Sequence, residues 1–140
     1  MVNKITLQIY EVVNKAASQN KKADKIRILK ENESFALKSV LQGTYNPNIE
    51  FDLPEGAPPY TPSEPQSVPT TLHKQAKRFS YFVPPKSTQM NPVKKETMFI
   101  QLLEGIHPED AKLVLQMKDK KTFKGISAAV VKEAFPDILP

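Results

Sequence analysis

Apolar residues recur at helical spacing along most of the chain and at strand spacing in one short stretch. Ile5, Ile9, Val12, Val13 and Ala16 stand three and four apart within residues 4–17, which predicts an amphipathic helix. After the polar turn "SQNKK", Ala23, Ile26 and Leu29 mark a second short helix. Asn32 or Ser34 supplies a cap for a third, with Leu37, Val40 and Leu41 inward and Gly43 as its stop. The pattern then changes. Ile49, Phe51 and Leu53 alternate with Glu50 and Asp52, giving one half-buried extended segment that ends at Pro54.

Residues 54–69, "PEGAPPYTPSEPQSVP", hold six of the thirteen prolines and no positive charge. They read as an extended, polyproline-like connector. The spacings Pro59 to Pro62 and Pro62 to Pro65 match a PxxP ligand, but no Arg or Lys stands beside them to orient one, so the plain connector is preferred. Helical spacing resumes in "TTLHKQAKRFSYFV", with Leu72, Ala76 and Phe79 on one side, and stops at Pro84-Pro85. Asn91-Pro92 has the form of an N-cap and first-turn proline and opens a helix to Glu104, with Phe99, Leu102 and Leu103 inside. Pro108 opens another, with Ala111, Val114 and Leu115 inside. Ser127 caps a last short helix through Ala134, closed by Pro136. The expected fold is mainly α. It is a bundle of six to seven short helices with one extended segment and a Pro-rich connector. It forms a single domain over 1–140, with N-terminal helices (1–45), connector (46–69) and C-terminal helices (70–140).

Charge changes this picture more than composition does. Twenty basic and fifteen acidic side chains leave a net +5, unevenly spread. Residues 1–45 carry eight Lys/Arg against four acids, residues 46–69 four acids and no base, and residues 70–140 twelve against seven. Two basic blocks flanking an acidic stretch favour a polyanionic partner. The absence of cysteine excludes disulfides, thiolate nucleophiles and Cys-type zinc sites. No window approaches the roughly 20 apolar residues that span a bilayer, and the first twenty residues lack a signal-peptide core, so a reducing cytoplasm is expected and no membrane partner.

The stretch "LLEGIHPEDAKLVLQMKDKK" (102–121) has the outline of a helix-turn-helix, with Gly105 at the turn. Its second helix begins with Glu109 and Asp110, which suit the helix dipole and would repel phosphates, so it reads as a packed helix pair. Lys118, Lys120, Lys121 and Lys124 follow within seven residues, with Phe123 among them. Cations interleaved with an aromatic fit backbone contact and stacking on a single strand. The plainer reading is a solvated loop with Phe123 in the core. Lys74, Lys77 and Arg78 form a second cluster, ahead of Phe79, Tyr81 and Phe82. Lys94 and Lys95 form a third, in a first helical turn where an anion binds or the charges are merely surface. His73 and His107 have no metal-ligand spacing, there is no glycine-rich phosphate loop, and neither an enzyme nor a cofactor is expected.

Three blocks occur in order: "KIRILKENESFALKSVLQGTYNPNIEFDLPEGAPPYTP", "KRFSYFV" and "FIQLLEGIHPEDAKLVLQMKDKKTFKGISAAVVKEAFPDILP". Together they resemble an uncharacterised family of small proteins, a domain of unknown function, from T-even-like contractile-tailed phages, especially cyanophages. The resemblance implies no catalytic or binding residue. It implies a setting, the cytoplasm of an infected bacterial host or the virion. The resulting expectation is a non-enzymatic phage accessory protein binding nucleic acid, or a nucleic-acid-handling complex, through Lys74, Lys77, Arg78, Lys118, Lys120, Lys121 and Lys124. The alternatives are a host-takeover adaptor binding a bacterial protein through the proline connector and "EAFPDILP", or a minor virion component. Reversing Lys120 and Lys121 to Glu is expected to abolish nucleic-acid binding at little cost in stability.

Overall fold

The computed structural model describes residues 6–140, and among them the regular structure is entirely helical. The helices are α1 (Ile9–Ala17), α2 (Lys22–Glu31), α3 (Phe35–Tyr45), α4 (Leu72–Gln75), α5 (Pro92–Gly105), α6 (Pro108–Lys118) and α7 (Ala128–Ala134). Four 3-10 segments join them, at Pro65–Ser67, Ala76–Phe82, Ser87–Gln89 and Pro136–Ile138. Caps fall where small polar residues precede apolar runs. Ser34 accepts from the Leu37 amide, Asn91 from Val93, and Ser127 from Val130, at 3.1, 2.8 and 3.2 Å. The expected start of the first helix at residue 4 is not what α1 shows, since it begins at Ile9; Ile5 lies outside the described residues.

One core joins both ends of the chain. Ile9, Val12, Val13 and Ala16 of α1 belong to the same buried cluster as Phe99 and Leu103 of α5, Val114 of α6 and Ile138. In α2 the inward positions are Ile28 and Leu29, while Ala23 faces solvent. Gly43 does not stop α3, which runs to Tyr45. A Cβ there would lie 2.9 Å from the Met117 side chain and 3.0 Å from Phe51, so the glycine lets α6 and the following segment approach α3.

The proline-rich stretch is extended apart from the turn at Pro65–Ser67, and it is fastened along its length to α5 and α6. The Gly56 amide donates to Asp119 Oδ2 at 3.1 Å, the Thr61 amide to Glu104 Oε2 at 2.8 Å and the Thr70 amide to Gly105 O at 2.9 Å. Ser63 Oγ donates to the Glu104 carbonyl. Residues 49–53 form no strand; the Asp52 amide donates to Phe82 O at 2.7 Å. Lys95, expected at the surface, is buried in the first turn of α5. Its ammonium donates to Asp52 Oδ2 at 2.7 Å and Ser87 O at 3.3 Å. That bond holds the Asp52 carboxyl below the usual carboxylate range.

Candidate functional site

Past Thr71 the chain makes one α-helical turn and then winds more tightly. Ala76, Phe79 and Phe82 are all buried at intervals of three. A 3-10 helix repeats every three residues, so this winding puts both rings and the alanine on one inward line. Phe82 meets Phe99 edge-on at 5.3 Å between centroids, and Phe79 meets Phe51 the same way at 6.4 Å. Packing leaves the intervening residues outside. Lys74, Lys77 and Arg78 are exposed, and none has an ion-pair partner among the described residues.

This helix forms one side of a groove of about 410 Å³, with α3 and residues 83–86 contributing the rest. Phe35, Ile49, Phe51, Phe79 and Val83 make its lining mostly apolar. Ser39 and Gln42 add polar side chains that make no hydrogen bond among the described residues. The charged lining residues are Lys77 and Lys86, and no described carboxylate joins them. Lys86 Nζ lies 5.2 Å from the Tyr81 ring centroid, a cation–π contact on a ring that is itself exposed. Phe35 is 66% exposed at the first position of α3, although most phenylalanines here are buried. Sequence reasoning missed this groove and, with it, Phe35, Ser39, Gln42 and Lys86. One signal was available, because Phe35 stands off the inward stripe of Leu37, Val40 and Leu41.

The C-terminal lysines divide. The Lys118 side chain is 1% exposed, donates to Pro54 O at 2.8 Å and pairs with Asp119, so it fastens the connector to α6. Lys120 donates to the carbonyls of Gly43, Asn46 and Ile49 at 2.7, 2.8 and 2.6 Å. Both ammonium groups are engaged inside the fold, which corrects their assignment to a phosphate-binding surface. Lys121 and Lys124 remain exposed, while Phe123 is buried against Tyr45, edge-on at 6.1 Å. Lys124 lines an open hollow with Lys22 and Lys25. Lys22 is paired with Glu133 at 3.0 Å, and Lys25 donates to the carbonyls of Ala17 and Gly125. Lys77 and Lys124 thus line different clefts.

A further polar group is wholly internal. Asp110, in the first turn of α6, is fully buried, and its Oδ1 accepts the Tyr10 amide at 2.8 Å. The carboxylate therefore caps the start of α1 from a neighbouring helix. Oδ2 has no hydrogen-bond partner among the described residues. His107 Nδ1 accepts the Glu109 amide at 3.1 Å, and its ring stacks on Tyr10 at 4.6 Å. His73 Nε2 lies 2.9 Å from Leu7 O. Burial pushes the Asp110 carboxyl up to about 6, against the weaker opposing pull of the Tyr10 amide and the two imidazoles. Asp110 is covered by α1 while Glu109 faces solvent, and α5 packs against α6 as a helix pair.

The segments expected of a protein adaptor are anchored in the fold but largely exposed, most of 54–69 together with Glu133, Pro136 and Asp137 facing solvent. Phe135 and Ile138 of "EAFPDILP" are in the core, and the connector is held against α5 and α6. Among the described residues no group of His, Asp and Glu is arranged to hold a metal ion, and no helix is long and apolar enough to cross a membrane. None of the curated proteins matches the sequence. Residues 12–124 match the Family of unknown function (DUF6433), and since that span is most of the chain, the protein belongs to this family.

Proposed function

We propose that this is a non-enzymatic accessory protein of a contractile-tailed phage. It engages nucleic acid, or an assembly that handles it, through the basic ridge of Lys74, Lys77 and Arg78. One observation carries the reading. Lys74, Lys77 and Arg78 stand exposed within five positions and have no ion-pair partner among the described residues, and Lys77 lines a groove with no described carboxylate, whereas Lys95, Lys118 and Lys120 are each bound internally. Unpaired cations on a rigid helix attract phosphates without sequence preference. The phage setting is supported by the three ordered sequence blocks and agrees with a chain lacking cysteine.

Anisotropy of a fluorescent oligonucleotide titrated with the protein tests the reading. Three or four phosphate contacts to a single strand imply that affinity falls roughly 20- to 50-fold between 50 and 200 mM salt. Lys77→Glu with Arg78→Glu removes most of the binding. No anisotropy change at low salt would defeat the proposal.

A further inference from the structure

We infer that the groove between α3 and the Ala76–Phe82 helix receives an unstacked nucleobase of a single strand, with the flanking phosphates against Lys77 and Lys86. This rests on the nucleic-acid reading above and narrows it to one class of ligand. The Phe35 ring lines the groove, is 66% exposed and makes no ring–ring or cation–π contact among the described residues, which leaves it open to stacking on a free base. The remaining wall is aromatic and aliphatic, from Phe51, Phe79, Ile49 and Val83. Ser39 and Gln42, without hydrogen-bond partners among the described residues, supply the donors and acceptors that a base edge needs.

Charge complementarity selects the occupant. The two charged lining residues are lysines, and the ridge continues the positive charge past Lys77 to Arg78 and Lys74. A base in a duplex has its faces stacked and its edge paired, so it cannot occupy the groove without being extruded. An acidic peptide with one aromatic residue would also match the lysines and rings, and its backbone could reach Ser39 and Gln42. The single strand is favoured because it repeats one flat base and one phosphate per unit, matching an exposed ring beside Lys77, Lys86 and the continuing basic ridge. A volume of about 410 Å³ lies within the range of small-ligand sites, roughly 300–1,000 Å³.

The test compares four labelled probes at low salt, with the intact protein and variants. The probes are a thymidine oligomer of about 15 nucleotides, a strand of equal length made of abasic sites, a duplex, and an acidic peptide carrying one aromatic residue. The inference expects the abasic strand to bind about tenfold more weakly than the intact one. It expects Phe35→Ala to weaken the intact strand by a similar factor while leaving the abasic strand unchanged, and Phe35→Trp to restore it. Because Phe35 is exposed, the fold tolerates both changes, which circular dichroism verifies. Equal binding of intact, abasic and duplex probes, with Phe35→Ala silent and Lys77→Glu/Arg78→Glu still damaging, overturns the base pocket and leaves the phosphate reading standing. No binding of any oligonucleotide overturns both. Binding of the peptide alone, lost in Phe35→Ala, assigns the groove to a protein partner.

Discussion

Lys120 has a positive φ of 56°, and this left-handed turn carries its side chain back over the end of α3. There the ammonium satisfies three carbonyls, two of them beyond or at the last turn of a helix, where positive charge is favoured. Lys120→Met keeps the aliphatic stem and removes the donor, so it should cost about 2–3 kcal/mol in urea unfolding. Lys121→Met, at an exposed neighbour, should stay within about 0.5 kcal/mol. Equal midpoints for the two would refute the structural role. The Lys120/Lys121 charge reversal is for the same reason not neutral in stability, contrary to what the sequence suggested. Asp110 makes a prediction about pH. Its folded pKa of about 6 lies above the unfolded value of 3.8, so between those values the folded protein holds the extra proton. Stability from this group is therefore greatest at low pH and declines as pH rises from about 4 to about 6. At about 1.4 kcal/mol per tenfold change in proton affinity, the decline approaches roughly 2–3 kcal/mol. Asp110→Asn is isosteric and cannot titrate. Its stability relative to the parent should rise across that window, and parallel pH profiles for the two proteins would contradict the assignment.

Elements were legible wherever a period and a cap coincided. Asn91-Pro92 and Ser127 each stand before a regular apolar stripe, and α5 and α7 begin there. Leu72, Ala76 and Phe79 give helical spacing without fixing its pitch; the buried triplet of Ala76, Phe79 and Phe82 carries the 3-10 repeat. Tertiary partners were not legible, since Lys95 finds Asp52 across 43 positions and Lys118 finds Pro54 across 64. No local pattern distinguishes such lysines from solvated ones, and the candidate site inherits that ambiguity. The ridge was visible as a cluster of charges, whereas the groove exists only after α3 meets the 3-10 helix. The loop between α6 and α7, held on α3 through Tyr45, also approaches α1 closely. Gly125 has φ 87°, and a Cβ there would lie 2.8 Å from Ala17 O at the end of α1. Gly125→Ala should lose about 1–3 kcal/mol from the left-handed backbone alone, with the clash in addition. Gly56→Ala provides the control, having a similar φ of 86° but open space around its Cβ. Both variants carry the backbone cost, so the excess loss at Gly125, read from denaturant midpoints, measures how tightly the loop seats on α1. Equal losses would mean that it does not.

At the scale of the whole molecule, the net charge of +5 says less than where its free members stand. Folding withdraws Lys95, Lys118 and Lys120 from the surface and pairs Lys22 with Glu133. Lys15, Lys21, Lys30 and Lys94 also stay exposed, but two groups bear on the clefts: the ridge of Lys74, Lys77 and Arg78, with Lys77 in the apolar groove, and Lys121 with Lys124 on the α6–α7 loop, with Lys124 in the open hollow. Their separation into different clefts makes ionic strength a discriminating variable. At about 10 mM salt the screening length is roughly 30 Å, so both groups attract an oligonucleotide wherever it sits. Near 150 mM the length falls to roughly 8 Å, and only cations touching the strand still contribute. Lys77→Glu/Arg78→Glu and Lys121→Glu/Lys124→Glu change the net charge equally, so they should weaken binding of a short oligonucleotide comparably at low salt. Near physiological salt the ridge variant should remain at least about tenfold weaker than the parent, while the loop variant should approach it. The slope of log affinity against log salt should also be shallower for the ridge variant alone, because only there have phosphate contacts been removed. If the loop variant stays as weak as the ridge variant at high salt, the strand runs over both clefts, and the groove is not the centre of its path.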